Sequence, residues 1–382
     1  MPRTSERKKL LRRAQKVLVK REAAAELRDL LSDEDSDEDD LDIYWALEYE
    51  RLQATRYVLR THMYLKRKNR WRKLLHNRLH TSDAEFLEDF RVKRSEFFGL
   101  VRLVQDDPAF KSLGGKPFRG GAELHLMVLL KYLGAYGNGN TAPAIGKLLG
   151  IGKGSVFNYL QRAVVAVLRL EDATITWPDR AERREISQRI QMKYGFVNCV
   201  RLTDGKLFPL ATKPRHNGED YYSRKSSYSV NALVTCDNAA RIHSAFQASS
   251  IMIPAFKKPP KAQLHPDNSY FDTRLAKVRI KSEHCIGLLK MRFQCLREIR
   301  VKLGKKRKHM RRLIRFGMCA CIFHNLLIAE PVPAEWQSEL DKCITGELED
   351  DDELNLAVPA EASGDERRSQ LLGYMLEIRA QR

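Results

Sequence analysis

The sequence predicts an α/β (α+β) chain in which a helical N-terminal region with a helix-turn-helix precedes a smaller core that contains a sheet. Apolar residues recur at helical spacing from about residue 43 to residue 170, and from about Tyr194 they form short β-branched and aromatic runs. A length of 382 residues with 43% hydrophobic residues gives room for two or three domains with a buried core.

The charge balance indicates a nucleic-acid partner. Lys and Arg number 68 against 49 acidic residues, which gives a net charge of +19. We expect no membrane association, because no apolar stretch approaches the roughly 20 residues of a spanning helix and the N-terminus is too charged for a signal peptide. The seven cysteines lack CxxC spacing, so the sequence indicates neither a zinc site nor a disulfide framework.

Both ends of the chain are charged. Residues 1–42 combine a basic stretch with the acidic run SDEDSDEDDLD, which predicts a charged, disordered tail. A nuclear-import or nucleic-acid-binding arm is the alternative. Residues 331–382 contain ELEDDDEL and are predicted to form an acidic, partly disordered tail.

A helix-turn-helix is predicted near residues 141–168, within a helical DNA-binding region that spans residues 43–170. A short helix from about Ala142 to Leu149 is followed by a glycine turn, and then by a helix capped by Ser155. The N-terminal part of the second helix in such motifs enters the major groove. The candidate DNA-facing residues are therefore Lys153, Ser155, Asn158, Gln161 and Arg162. Two helices around a glycine turn also occur in folds that do not bind DNA.

Three short strands are predicted in the second half of the chain, at 196–203, 206–210 and 228–235. Asp204 and Gly205 separate the first two, so the carboxylate of Asp204 is expected at a strand end. A helix over 272–293 follows, and Glu283 shares a face of it with Arg279, Gly287 and Lys290. If neither acid has a function, Asp204 and Gly205 would simply form a turn, and Glu283 would be half of a solvated ion pair.

Several sequence phrases in a fixed order favour functional roles for Asp204 and Glu283 over these simpler alternatives. FVNCVRLTDG, NGEDYYSRKSSYSVNALVTCD, PAFKKP, LAKVRIKSEHCIGLLKMRFQCLR and HNLLI resemble the PIF/Harbinger group of DDE transposases and the nuclease-like proteins derived from them, over roughly residues 80–330. The resemblance implies an RNase H-like DDE nuclease domain over 190–330, with Asp204 and Glu283 as the first and third acids of a catalytic triad. It also implies that both acids bind Mg²⁺ or Mn²⁺ in an active protein.

The chain departs from that pattern at the second acid. Phrases like GxPGSxHDxR and GDxxY are absent, and RIHSAFQASS runs directly into IMIPAFKKPP, which predicts an internal deletion near Ser250 and Ile251. A skipped exon, a decayed transposon copy and a domesticated protein would each explain it. Asp204-Gly205-Lys206 also replaces the family's Asp-Gly-Thr. No other aspartate follows a strand expected beside that of Asp204; those considered are Asp220, Asp237, Asp267 and Asp272.

Three functional hypotheses follow. The first is a Harbinger-like, transposase-derived nuclease that cleaves DNA phosphodiester bonds with metal ions and is catalytically impaired in this chain, so its status as an enzyme stays open. The second is a non-catalytic DNA-binding protein of the same ancestry, and the third is a chromatin- or RNA-associated scaffold. The resemblance further implies a nuclear location and a Myb-like accessory protein, and a homo-oligomer is possible.

A basic segment late in the chain predicts nuclear import. The window from Val301 to Phe316 contains eight basic residues and no acidic one. The residues assigned to import are Lys305, Lys306, Arg307, Lys308, Arg311 and Arg312. The alternative is a phosphate-binding surface beside the helix of Glu283.

Overall fold

The computed structural model describes residues 6–29, 37–54, 70–112, 114–243, 255–256, 263–342 and 362–380. The chain forms two compact units, Met1–Lys66 and Arg67–Arg382. The second unit contains the sheet and the helices from residue 70 onward, whereas residues 43–66 of the region predicted at 43–170 belong to the first unit. The predicted deletion near residues 250 and 251 lies outside the described residues.

The described residues of the first unit form two helices that pack together, α1 (Glu6–Asp29) and α2 (Asp37–Ala54). The guanidinium of Arg7 donates to the carbonyl of Leu52 at 3.0 Å, and Ala14 and Leu52 are buried. This helix pair differs from the tail predicted over residues 1–42. Part of the predicted acidic run opens α2, where the positive end of the helix dipole favours acidic side chains.

The described residues of the first half of the second unit form eight α-helices. They are α3 (Arg70–His76), α4 (Asp83–Phe90), α5 (Arg94–Val104), α6 (Gly121–Gly134), α7 (Ala142–Leu149), α8 (Lys153–Leu168), α9 (Glu171–Thr174) and α10 (Arg180–Tyr194). Helix α6 lies at the centre of the core, because nearly all of its residues are buried and it packs against α4, α5 and α8. Ser82 and Glu85 form a capping box that fixes the start of α4.

Helices α7 and α8 have bounds close to those predicted from the sequence. Gly150 ends α7 in the left-handed conformation, with φ of 69°, which glycine adopts without strain. A Cβ atom at Gly146 would lie 2.8 Å from the carbonyl oxygen of Ile151, so the turn closes tightly over this glycine. The predicted cap was wrong: Gly152 precedes the first turn of α8, and Ser155 lies within the helix.

The described residues contain one antiparallel sheet of two strands, β1 (Leu202–Pro209) and β2 (Ser229–Cys236). The prediction of separate strands at 196–203 and 206–210 was wrong. Asp204 and Gly205 continue β1 and pair with Val234 and Leu233 of β2. Cross-strand pairing and burial therefore override the turn preference of Asp-Gly.

Among the described residues of its second half, the second unit has three long helices: α11 (Pro266–Arg292), α12 (Arg307–Leu326) and α13 (Ala362–Ala380). Helix α11 packs on both strands, and this contact supports a two-stranded sheet that would be marginal alone. Helix α13 falls within the predicted tail at 331–382, where the described residues Leu371 and Met375 are buried. None of the helices in the described ranges is long and apolar enough to cross a membrane.

Candidate functional site

The two acids predicted to be catalytic lie close together although 79 positions separate them in sequence. The guanidinium of Arg279 bridges them: its Nη2 atom lies 3.4 Å from Oδ1 of Asp204, and its Nε atom lies 3.9 Å from Oε1 of Glu283. Asp204 is 6% exposed and Glu283 is 2% exposed. The fold therefore brings the predicted pair to one buried position.

Strand and helix geometry explain this convergence. Alternate residues of a strand share a face, so Asp204, Lys206 and Phe208 all point toward α11 and are buried. The ammonium of Lys290 lies 5.1 Å from the centre of the Phe208 ring, two helical turns beyond Glu283. Helix α11 thus runs along β1 in the same direction, and we refer to Asp204, Lys206, Arg279, Glu283 and Lys290 as the β1–α11 site.

The β1–α11 site contains more cations than anions. Lys206 is fully buried and Lys290 is 7% exposed, while Arg279 reaches in from the surface. Two carboxylates and three basic groups therefore share a region where an uncompensated charge would be costly, and Arg279 contacts both acids. Lys206, which replaces the family's threonine, shares the buried strand face of Asp204, and the guanidinium of Arg279 lies between the acids.

These residues do not fit a two-metal centre. Such a centre needs several carboxylate or other oxygen ligands that converge on the ions. Across the described ranges, no group of three or more His, Cys, Asp or Glu side chains is arranged to hold a metal ion. The structure thus provides two acids and an internal counter-charge.

Asp237 is the candidate replacement nearest to β2, but local contacts already hold it. Its carboxylate accepts backbone N–H groups of Ala239 and Arg241 and lies 3.4 Å from Nε2 of His243. Burial raises the pKa of Asp237, but the hydrogen bonds outweigh burial and leave it below the usual value. Asp272 similarly accepts the backbone N–H of Phe256.

The late phrase HNLLI positions the segment after β2, a role that the sequence did not reveal. Nε2–H of His324 donates to the carbonyl of Ala240 at 2.8 Å. Asn325 donates to the carbonyls of Thr174 and Ile242 and accepts the N–H of Ile242. Burial lowers the pKa of His324 to about 4, so this histidine is neutral near neutral pH. The available sequence signal for this role was the adjacent polar pair His324 and Asn325 within an otherwise apolar stretch of helix.

The structure places the candidate DNA-facing residues on two sides of α8. Lys153, Asn158 and Gln161 are exposed, whereas Ser155 and Arg162 are half-buried. The Arg162 guanidinium carbon lies 3.4 Å from the centre of the Phe118 ring. This stacking occupies one face of the Arg162 guanidinium. Arg162 therefore contributes more to the packing of α8 against Phe118 than to the outer surface of the helix.

All six residues assigned to nuclear import are exposed, and they lie at or just before the start of α12. The guanidinium carbon of Arg312 lies 5.9 Å from the ring centre of Phe157 on α8. By contrast, α12 approaches Cys285 of α11 through His324. His324 lies 12 positions after Arg312, or about 18 Å further along the helix. The basic part of α12 therefore adjoins α8 and not the Glu283 position of α11.

Comparison with known protein families supports part of this interpretation. Residues 243–325 match the family model described as DDE superfamily endonuclease. The matched segment contains Glu283 and ends at Asn325, whereas Asp204 lies before it. No curated protein and no solved structure matches the chain significantly.

Proposed function

We propose that this protein is a DNA-binding protein derived from a Harbinger-like DDE transposase, with a nuclease core whose catalysis is impaired. The observation that carries the proposal is the Arg279 bridge between the buried carboxylates of Asp204 and Glu283. The bridge lies where the resemblance expects a metal site, and the match to DDE superfamily endonucleases includes one of the two acids.

The proposed impairment follows from charge. Two-metal cleavage uses carboxylates to hold cations that activate the nucleophile and stabilise the leaving oxygen. In the β1–α11 site, Arg279 already supplies positive charge between the two acids, and Lys206 is buried on the same strand face. A divalent ion would have to compete with the Arg279 guanidinium for both acids, and the chain offers no third converging acid among its described residues.

The proposed DNA binding uses the exposed side of α8. Lys153 would contact phosphates, while Asn158 and Gln161 carry amide groups that pair with base edges. The tight turn at Gly146 and Gly150 fixes α8 against α7, which would present these side chains on a rigid element. A nuclear location and a Myb-like accessory protein remain proposals that rest on the family resemblance.

Cleavage and binding can be tested separately with the full chain. Supercoiled plasmid incubated with Mg²⁺ or Mn²⁺ should show no metal-dependent nicking above the level of the Asp204→Asn variant. Nicking that requires metal and disappears in Asp204→Asn and Glu283→Gln would overturn the impairment and establish a nuclease. Duplex binding measured by fluorescence anisotropy should weaken steeply with salt. A chain that binds no duplex at low salt would exclude the DNA-binding function.

A further inference from the structure

Helices α8 and α12 lie side by side and run in the same direction. Two contacts establish this: Arg312 lies over the ring of Phe157, and Sγ of Cys319 lies 3.9 Å from the carbonyl oxygen of Val164. Both pairs are separated by 155 positions, so an advance of seven residues along one helix matches the same advance along the other. The first turns of the two helices therefore lie at the same end of the helix pair.

That shared end is electropositive for two reasons. Neither α8 nor α12 has an acidic residue in its first turn, although the helix dipole favours acids there. Basic side chains take their place, and each adds its charge to the partial positive charge of the exposed N–H groups. Such an arrangement lowers the intrinsic stability of both helix starts, and an external anion would reverse the effect.

The exposed face of α12 carries a basic stripe. Its residues follow the i, i+3, i+4, i+7 spacing of one helix face: Lys308, Arg311, Arg312 and Arg315. Within the described part of the chain, none of these four side chains forms an ion pair with an acidic residue. The stripe spans seven residues, or about 10 Å, which equals the axial rise of about three phosphates along one DNA strand.

We propose that this α12 basic stripe binds the phosphate backbone of duplex DNA next to the groove entered by α8. The proposal rests on the DNA-binding function proposed above and adds a second element to that surface. Arg312 connects the two parts, because its guanidinium lies over Phe157 of α8 and at 5.4 Å from the ring of Phe316. Lys153, Asn158 and Gln161 of α8 then lie beside the stripe and not on a separate face.

The test replaces three stripe residues and leaves the packed Arg312 in place. The variant Lys308→Ala/Arg311→Ala/Arg315→Ala is compared with wild type by anisotropy on one fluorescent duplex from 50 to 200 mM salt. Each lost phosphate contact should reduce the slope of log affinity against log salt by about 0.9, so the slope should fall by up to about 2.7. The loss of affinity over this salt range should then be up to about 40-fold smaller than for wild type.

Two further variants separate the surface effect from a change in total charge or in folding. The control Arg180→Ala/Arg184→Ala/Lys193→Ala removes the same charge from exposed positions of α10, which packs on α11. It should keep the wild-type slope. The exchange Lys308→Arg/Arg311→Lys/Arg315→Lys keeps the charge and should also keep the slope, because phosphate contacts depend on charge more than on side-chain type.

The outcomes separate this proposal from the function on which it rests. If wild type binds DNA and the stripe variant keeps its slope, the α12 surface is not part of the interface, although α8 can still bind. If both triple-alanine variants lower the slope equally, net charge alone is responsible, which also overturns the proposal. Unchanged DNA binding combined with lost nuclear accumulation of a fluorescent fusion would assign the stripe to an import receptor instead. A wild-type chain without DNA affinity would reject both proposals.

Discussion

The helix pair α7–α8 and the β1–α11 site place their polar residues in opposite environments. Lys153, Asn158 and Gln161 are exposed on α8, whereas Asp204, Lys206 and Glu283 are buried. A recognition surface needs exposed polar groups that can exchange their bound water for a ligand. A buried charge, by contrast, must be paired with another group inside the fold. The comparison indicates that the polar side chains of α8 are accessible to a ligand, whereas the acids of the β1–α11 site are already paired with a cation of the fold.

Removal of one acid should produce the largest effect and would show whether the β1–α11 site is an ion-paired cluster or an unfilled metal site. We expect Asp204→Asn to lower the free energy of unfolding by about 3 kcal/mol, because it removes one of the two buried carboxylates that compensate the cations of the β1–α11 site. This value is at the lower end of the destabilisation expected when one partner of a buried ion pair is removed, because Arg279 is 41% exposed and partly screened by water. Urea unfolding measures the change.

The exposed Asp106 provides a matched control, and Asp106→Asn should change stability by less than about 0.5 kcal/mol. A metal site would give the opposite sign, because clustered acids without metal repel each other. An Asp204→Asn variant that is more stable than wild type, together with stabilisation of wild type by Mg²⁺, would contradict the ion-paired cluster.

A second test uses a buried histidine that packs beside each region: the ring centre of His125 lies 4.4 Å from that of Tyr159 on α8, and Nε2 of His324 lies 3.9 Å from Sγ of Cys285 on α11. Burial lowers the pKa of His125, on α6, and of His324, on α12, to about 4. Because the unfolded pKa is about 6.5, the unfolded chain binds protons first, so stability is complete above pH 6.5 and falls as the pH approaches 4. Between pH 8 and pH 5 each histidine should lower the free energy of unfolding by about 2 kcal/mol.

Urea unfolding of His125→Phe and His324→Phe at both pH values separates the two contributions. Each variant should lose about 2 kcal/mol of pH dependence, whatever its stability at pH 8. The exposed His80→Gln is the control and should keep the full dependence. An unchanged pH dependence in His324→Phe would mean that water reaches this histidine and that the segment after β2 is held less tightly than its contacts indicate.

The sequence predicted local features of both regions better than their tertiary environment. The bounds Ala142–Leu149 follow from apolar spacing and a terminal glycine, both of which act within a few residues. The strand prediction failed at Asp204-Gly205, because pairing with β2 depends on residues about thirty positions away. Ser155 failed as a helix cap because Gly152 already supplies the required extended conformation.

The candidate site was predictable in its members but not in its chemistry. Family phrases identified Asp204 and Glu283, and the replacement of the family's Asp-Gly-Thr by Asp204-Gly205-Lys206 identified Lys206 as a basic neighbour. The sequence showed Arg279 only as part of a basic helix face. Its position between the acids depends on how α11 lies along β1, which has no local signal. The parallel packing of α8 and α12 is equally a property of the folded chain.

A third prediction concerns sequence recognition by α8. We expect Asn158→Ala and Gln161→Ala each to reduce discrimination between a selected duplex and its base-substituted form by on the order of 1 kcal/mol. Both side chains are exposed, so stability should change by less than about 0.5 kcal/mol. Competition anisotropy measures the discrimination, with the exposed Gln188→Ala on α10 as control. Equal loss of affinity for both duplexes would assign these residues to backbone contacts.

The smallest expected effect concerns Lys153 and sharpens the contrast with the buried Lys206. Lys153 occupies the first position of α8, where a cation opposes the helix dipole, so Lys153→Ala should leave stability unchanged or raise it by about 0.3 kcal/mol. The same substitution should reduce the salt slope of DNA binding by about 0.9, or about a 3.5-fold smaller affinity loss between 50 and 200 mM salt. Anisotropy titrations and urea unfolding give the two values, and Lys193→Ala is the control. A Lys153→Ala variant that loses stability but keeps its salt slope would show that this lysine, like Lys206, serves the fold.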